Sequence, residues 1–208
     1  MTCKLYYHPQ SNFARKIRIL LMEKKIDYEL EAIELSAKPE YFLKISPIGK
    51  VPDFVDEDGT VIWDSSLIAE YLEEKYPHPH FCPQTFQEKI ACRKWEEMAN
   101  TFGDHVIDLW VQGLFNQGKM TRYQSLLQGK ISRMMPVFEQ QLSQTKYLLG
   151  DETWSMADIA ALCSFAYHDL RLNEDWKHEY PYLKNWFNDL HNIESVKLTV
   201  PPKKAGIK

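Results

Sequence analysis

The sequence predicts a small mixed α/β domain followed by an all-helical domain. In the first 80 residues the spacing of apolar residues changes about every ten positions, as short strands and helices alternate. Prolines then stand at 77, 79 and 83, which is typical of a linker because proline cannot continue a helix. Beyond them only helical spacing recurs. We therefore predict domains over 1–76 and 85–208, joined by a linker over 77–84.

The elements of the first domain follow from local patterns. In order they are a strand over 4–7, a helix over 13–24, a strand over 28–33, a helix over 40–45, strands over 51–55 and 61–63, and a helix around 67–72. Asp58-Gly59 between the last two strands is a strong hairpin signal. A parallel βαβ pair requires a crossover helix, so the order predicts a mixed sheet with helices packed on it.

The second domain shows helical patterns over 85–112, 120–144, 155–170 and 180–191. The third of these begins with a specific start signal, because Ser155 and Asp158 have the spacing of a capping box with Asp in the place of Glu. Trp154 and Ile159 stand where a hydrophobic staple would form. We interpret this segment as structural rather than catalytic.

Composition excludes several classes of function. The 208 residues are 44% hydrophobic with a formal charge of -4, so a sizeable core is expected and the basic excess of nucleic-acid-binding proteins is absent. No apolar run approaches the roughly 20 residues that span a bilayer, and the first residues lack the apolar region of a signal peptide. We expect a cytoplasmic protein with neither nucleic acid nor membrane as a partner.

Cysteine and histidine positions do not predict a metal site. Cys3, Cys82, Cys92 and Cys163 form no CxxC pair, so reduced, packed thiols are expected rather than a zinc ribbon or a disulfide scaffold. His78 and His80 form an HxH pair in the linker, but no Cys or carboxylate stands at ligand spacing nearby.

A serine stands where the first predicted strand gives way to a helix. Ser11 lies just upstream of that helix, so its hydroxyl and the backbone N–H groups around it could face an anion. An ordinary helix N-cap is the simpler interpretation. A hydrolase nucleophile is disfavoured, because the GxSxG motif is absent.

Two further segments carry candidate binding residues. Residues 47–52 lead into a strand through Val51-Pro52, and a cis bond there would expose the Val51 backbone for pairing with an extended peptide. Residues 63–69 join a strand to a helix through Asp64, Ser65 and Ser66, none of which has Glu or Gln three positions on. That helix N-terminus could receive a ligand carboxylate, and Asp64 a ligand ammonium, with plain capping as the alternative.

Together these segments resemble the glutathione transferase family over nearly the whole chain. Gly49-Lys50-Val51-Pro52 is similar to its cis-proline turn, Asp64-Ser65 to its Glu/Gln-Ser motif with Asp substituted, and residues 155–158 to its helical-domain capping box. The tail, Tyr180-Pro181 to Trp186 and then Ser195 to Lys197, is also similar. The resemblance implies a thioredoxin-like first domain, a helical second domain, glutathione as co-substrate without a metal, and a homodimer.

The resemblance also implies roles for individual residues. The residue that activates the thiol would be Ser11, as in serine-type members, with Tyr7 at the end of the first strand as the alternative. Val51 would pair with the cysteinyl backbone of glutathione, Pro52 would be the cis-proline, and Asp64 and Ser65 would hold the γ-glutamyl group. Lys50, and more weakly Lys38, would meet the glycyl carboxylate.

The expected electrophile pocket lies between the domains, with four candidate aromatic walls: Phe102, Trp110, Phe115 and Tyr167. The resemblance implies thiolate attack on an electrophilic small molecule, a peroxide or a mixed disulfide. The alternative is a non-catalytic protein-binding module on the same fold, like the stringent starvation protein of bacteria, because fold alone does not decide function.

Overall fold

The computed structural model describes residues 2–115, 120–172 and 175–202. Residues 2–80 together with 194–202 form one compact unit, and the described residues of 81–193 form a second. The mixed α/β domain and the helical domain predicted from sequence are both confirmed.

The first unit contains a four-stranded mixed sheet with the strand order β2-β1-β3-β4. Its elements are β1 (Cys3–Tyr7), α1 (Asn12–Glu23), β2 (Tyr28–Ala32), α2 (Glu40–Ile45), β3 (Asp53–Val55), β4 (Val61–Trp63) and α3 (Ser65–Lys75). β1 and β2 are parallel and are connected through α1, whereas β3 runs antiparallel to both β1 and β4. The β3–β4 connection is the hairpin predicted from Asp58-Gly59, and Gly59 has a φ of 87°.

One strand is shorter than predicted. The expected strand over 51–55 begins only at Asp53, which pairs with Tyr6 of β1. Pro52 has no N–H to donate to a neighbouring strand, and the Val51–Pro52 peptide bond is cis. The two residues therefore form a turn at the end of the sheet.

The regular elements in the described part of the second unit are all helical. It contains α4 (Phe86–Phe115), α5 (Arg122–Leu142), α6 (Met156–Arg171), a 3-10 turn (Trp176–His178) and α7 (Pro181–Leu190). α6 is buried along most of its length, and its Phe165 ring packs within 4.7 Å of Phe102 and 5.1 Å of Phe138 between ring centroids. Because α6 is buried on nearly every face, it forms the centre of this unit's core.

The predicted capping box at the start of α6 is confirmed. The Asp158 carboxylate accepts from the Ser155 N–H at 2.9 Å and from the Ser155 hydroxyl at 2.8 Å. Its other oxygen accepts from the Leu148 N–H at 3.0 Å and from the Trp186 indole N–H at 3.1 Å. Asp158 is fully buried, and burial raises its pKa against the effect of these four hydrogen bonds.

A short helix absent from the sequence prediction, α8 (Glu194–Leu198), belongs to the first unit. The buried Arg15 guanidinium of α1 donates to the Val196 carbonyl at 3.1 Å and to the Thr199 hydroxyl at 3.4 Å. The Gln10 amide reaches the Pro202 carbonyl at 3.0 Å. By these contacts residues 194–202 group with the first unit, which differs from the predicted boundary of 85–208.

The end of α1 holds the start of the linker. The buried Lys24 ammonium donates to the Tyr76 carbonyl at 2.6 Å and to the Pro79 carbonyl at 2.9 Å, and it pairs with Glu73 at 2.8 Å.

Among the described residues, no helix combines the length and the apolar character needed to cross a membrane.

Candidate functional site

The register of the sheet brings the three candidate segments to the same end of the sheet. Tyr6 of β1 lies opposite Asp53, and Asp53 lies opposite Trp63 of β4. The end of β1, the turn before β3 and the end of β4 therefore meet at the same end of the sheet. Ser11, Val51 and Asp64 each follow or precede one of these strand ends.

Ser11 is the N-cap of α1. Its Oγ accepts from the Ala14 N–H at 3.1 Å, so the N-cap interpretation is confirmed. A hydroxyl has one hydrogen to donate besides its acceptor sites, and among the described residues nothing accepts the Ser11 hydrogen. The side chain is half-buried, and the first turn of α1 contains no acidic residue. A cap that accepts from the helix can therefore still donate to a ligand anion.

Tyr7 is directed along the body of α1. Its ring centroid lies 5.3 Å from the Arg18 guanidinium carbon, and Arg18 also hydrogen-bonds Tyr28. Arg18 is seven residues along the chain from Ser11, or nearly two helical turns. The Tyr7 ring therefore packs beside the middle of α1.

Val51 presents its backbone at the turn before β3. Its side chain is buried in a cluster with Tyr6, Ile33 and Phe42. No described residue forms a hydrogen bond with the Val51 N–H or C=O. A backbone with both groups open is suited to pairing with an extended peptide.

Asp64 caps α3 from a left-handed backbone conformation, with a φ of 77°. One carboxylate oxygen accepts from the Ser66 N–H at 2.8 Å and from the Leu67 N–H at 3.4 Å. Ser65 is 5% exposed, and its hydroxyl has no hydrogen-bond partner within the described ranges. The plain capping alternative is thus confirmed for one oxygen of Asp64, whereas the Ser65 hydroxyl makes no hydrogen bond within the described ranges.

Two lysines flank the same turn. Lys38 and Lys50 are both exposed, and a Cβ placed on Gly49 would lie 3.9 Å from the Lys38 Cδ. Gly49 has a φ of 60°, which an L side chain rarely adopts. Glycine therefore suits this position of the turn, which is followed by Lys50 and approached by the side chain of Lys38.

Two family models match the chain in the predicted order. The glutathione S-transferase N-terminal domain matches residues 5–80, and the glutathione S-transferase C-terminal domain matches residues 96–189. The uncharacterized GST-like protein YibF of Escherichia coli is 32% identical over 200 residues, which cover 93% of this chain and 96% of YibF. The chain belongs to the glutathione S-transferase family.

Structural comparison agrees with this assignment to the glutathione S-transferases. A glutathione S-transferase from Methylobacillus flagellatus, solved with glutathione bound, matches with a TM-score of 0.90 and 32% sequence identity. The match covers 97% of this chain and 100% of that one. A stringent starvation protein A homolog of Haemophilus ducreyi is 41% identical over 71 residues, which cover 34% of this chain and 33% of that protein. The alternative function is therefore not the better supported one.

The sequence did not predict two buried polar residues in the first unit of this transferase. Asp53, directly after Pro52, is fully buried, and neither carboxyl oxygen has a hydrogen-bond partner in the described structure. Burial raises the pKa of Asp53 to about 6, and the nearby Ser46 hydroxyl opposes this shift. Asn12, the first residue of α1, is 3% exposed with both amide atoms lacking partners among the described residues. The sequence signal that could have identified Asp53 is a carboxylate in a strand whose other residues, Phe54 and Val55, are apolar.

The four predicted aromatic walls lie in different environments. Phe102 is fully buried and packs against Phe165 in the core of the second unit. Trp110 and Tyr167 share the Arg171 guanidinium, whose carbon lies 3.9 Å and 5.1 Å from their ring centroids. Phe115 is 78% exposed at the end of α4.

Proposed function

We propose that the chain binds glutathione at this end of the sheet and activates its thiol, as thiolate, for attack on an electrophilic small molecule. The observation that carries the proposal is the Ser11 hydroxyl, which caps α1 and keeps its hydrogen for a ligand. The Val51 backbone and the Ser65 hydroxyl support the proposal, because both lie at the same end of the sheet and have no hydrogen-bond partners in the described structure.

The energy required is modest. A thiol with a pKa near 8.5 is only a few per cent thiolate at pH 7. Lowering that pKa by about 2 requires about 2.7 kcal/mol of preferential thiolate stabilisation. A charge-assisted hydrogen bond contributes about 1.5–3 kcal/mol, and a helix N-terminus about 0.3–1 kcal/mol. Ser11 at the N-terminus of α1 can supply both.

The remaining groups would hold the tripeptide. The Val51 N–H and C=O would pair with the cysteinyl backbone, and the Ser65 hydroxyl would donate to the γ-glutamyl carboxylate. Asp64 already accepts two helix N–H bonds through one oxygen, so its second oxygen would accept from the γ-glutamyl ammonium. The Lys50 ammonium, with a weaker contribution from Lys38, would meet the glycyl carboxylate.

Ser11, rather than Tyr7, would activate the thiol. The Tyr7 ring packs against Arg18, nearly two turns from the helix start, whereas Ser11 stands at the start itself. For the electrophile pocket we retain Trp110, Phe115 and Tyr167. A peroxide or a mixed disulfide as electrophile would use the same thiolate.

We extend the proposal to a cytoplasmic homodimer. Phe86 and Ile90 support it, because α4 leaves their apolar side chains 73% and 47% exposed. Light scattering should give twice the mass of the 24.5 kDa chain. A monomer at micromolar concentration would reject this part of the proposal.

The decisive experiment combines glutathione binding with two variants. Glutathione at a hundred times its dissociation constant should stabilise the fold by about 2.7 kcal/mol, seen as a raised melting temperature. Ser11→Ala should lose conjugation of glutathione to a chromogenic aryl halide, and Tyr7→Phe should keep it. No thermal shift at millimolar glutathione would favour the protein-binding module, and activity that survives in Ser11→Ala but not in Tyr7→Phe would assign the donor to Tyr7.

A further inference from the structure

A pair of thiols lies at the N-terminus of α6, within the second unit. Cys82 precedes α4 and is half-buried, whereas Cys92 stands in the second turn of α4 and is fully buried. Their side chains are hydrogen-bonded to each other, although ten positions separate them in the chain. The backbone N–H of Ala157, in the first turn of α6, also donates to the Cys92 sulfur.

The backbone beside Cys82 is held in place. The Phe81 carbonyl accepts from the Met156 N–H at 2.7 Å, and the Phe81 and Trp154 rings pack edge to face with centroids 5.8 Å apart. The segment before α4 is thus fastened to the start of α6, which keeps Cys82 beside Cys92. The thiol pair is therefore part of a fixed local structure.

The two thiols are not equivalent. The hydrogen bond with Cys82 and burial both raise the pKa of Cys92. An external disulfide can react only with a sulfur that it can reach, and the thiol reacts as its thiolate. Cys82 is also the more exposed of the two. Cys82 is therefore the member that an oxidant would meet first, with Cys92 behind it.

We infer that Cys82 and Cys92 form a reversible redox site that a small disulfide such as glutathione disulfide oxidises to an intramolecular disulfide. The Cys82 thiolate attacks one sulfur of glutathione disulfide, giving a mixed disulfide and one glutathione thiolate. Cys92 gives its proton to that thiolate and attacks the Cys82 sulfur, and the second glutathione leaves as a thiolate that takes up the proton released when Cys82 ionised. Two protein thiols are oxidised and one glutathione disulfide is reduced to two glutathione molecules.

The roles of the neighbouring groups differ in the two steps. In the first, the Cys92 thiol stabilises the attacking thiolate. In the second, the Ala157 N–H at the start of α6 stabilises the sulfur of Cys92 as it loses its proton. An accessible cysteine beside a second one that can resolve its oxidised form is the arrangement found in redox-sensing cysteines.

Mass spectrometry tests the assignment directly. The purified protein is incubated with glutathione disulfide, quenched with N-ethylmaleimide in denaturant and digested with trypsin. Cleavage after Lys75, Lys89 and Arg93 places Cys82 in peptide 76–89 and Cys92 in peptide 90–93. We expect the protein to lose two of its four alkylation sites, with these two peptides cross-linked and dithiothreitol reversing the change.

Three variants separate the steps. Cys92→Ser should stop at one glutathione adduct on Cys82, and Cys82→Ser should leave Cys92 unmodified over the same time. Cys163→Ser, which removes a buried thiol of α6, should form the cross-link as the unaltered protein does. The cross-link in the unaltered protein does not depend on whether the variants fold.

Two outcomes would overturn the inference. One is a stable glutathione adduct on Cys82 in the unaltered protein without a cross-link. The other is that all four cysteines of the folded protein are still alkylated after the incubation. The unfolded protein in denaturant is the positive control, and it should be fully oxidised under the same conditions. The readout is independent of conjugation activity, so it is informative even if glutathione does not bind at the Ser11 site.

Discussion

The start of α6 and the starts of α1 and α3 use the same residue types with opposite results. At α6 the Asp158 carboxylate accepts four hydrogen bonds from within its own unit and is fully buried. At α1 and α3, Ser11 keeps a hydrogen and Ser65 a whole hydroxyl without partners among the described residues. A polar group whose bonds are all made within the fold stabilises it, and one whose bonds are left open can bind a ligand.

Replacing Asp158 should have the largest effect. Asp158→Ala would leave the N–H groups of Leu148, Ser155 and Trp186 buried without an acceptor, and each such loss costs about 1–3 kcal/mol. Allowing for relief of the buried charge, we expect a loss of about 4 kcal/mol and a melting temperature lower by about 10 °C. Calorimetry measures the shift, and an unchanged melting curve would contradict the structural role.

The second buried carboxyl, Asp53, should behave in the opposite way. A rise in pKa from 3.8 to about 6 corresponds to about 3 kcal/mol. Since the folded state holds the proton more tightly than the unfolded state, stability should fall as the pH rises from about 4 to 6 and level off above that. Asp53→Asn should therefore stabilise the protein by about 3 kcal/mol at pH 8 and by much less at pH 4.

Chemical denaturation at several pH values would measure this difference. Asp56→Asn is the control, because Asp56 is also buried but accepts from Cys3, Tyr71 and Lys75. Although burial raises it, the hydrogen bonds from Lys75 and Tyr71 hold the pKa of Asp56 well below its usual range, so this control should be destabilised at pH 8. Equal effects at pH 4 and pH 8 for Asp53→Asn would show that Asp53 does not titrate in this range.

Ser11 and Thr121 offer a matched pair of helix caps. Each hydroxyl accepts from an N–H three residues on at 3.1 Å, Ser11 at α1 and Thr121 at α5. Either alanine variant should lose about 1 kcal/mol of stability. Only Ser11→Ala should also lose about 100-fold in kcat/KM for conjugation, the equivalent of about 2.7 kcal/mol. Similar activity losses in both variants would mean that Ser11 acts through the helix alone.

The smallest effect is expected at Ser65. Ser65→Ala removes a hydroxyl without a protein partner in the described structure, so the melting temperature should change little. The dissociation constant of glutathione should rise about tenfold, the equivalent of one lost hydrogen bond of about 1.4 kcal/mol. Isothermal titration calorimetry measures the affinity. A fall in stability without a change in affinity would place Ser65 with the structural caps.

Local chemistry explains how far the sequence could predict this molecule. The helices α1 to α7, the hairpin at Asp58-Gly59 and the Ser155–Asp158 box depend on residues close in the chain, and all of these were predicted. Asp53 and Asn12 were missed because their burial results from packing between distant segments. For Phe102, helical spacing marks an apolar face of the helix without showing whether that face meets ligand or core, and the structure places this ring in the core. The α8 helix is too short to produce a periodic pattern.

The contact of residues 194–202 with α1 has a consequence for synthesis on the ribosome. The first unit emerges early, yet the Val196 and Thr199 acceptors of its buried Arg15 guanidinium emerge more than 180 residues later. The entropic cost of closing a loop rises only slowly with its length, so the late packing of residues 194–202 on α1 is thermodynamically feasible. Completion of the unit that carries Ser11 thus waits for nearly the whole chain, and a nascent chain of 80 residues would lack both acceptors.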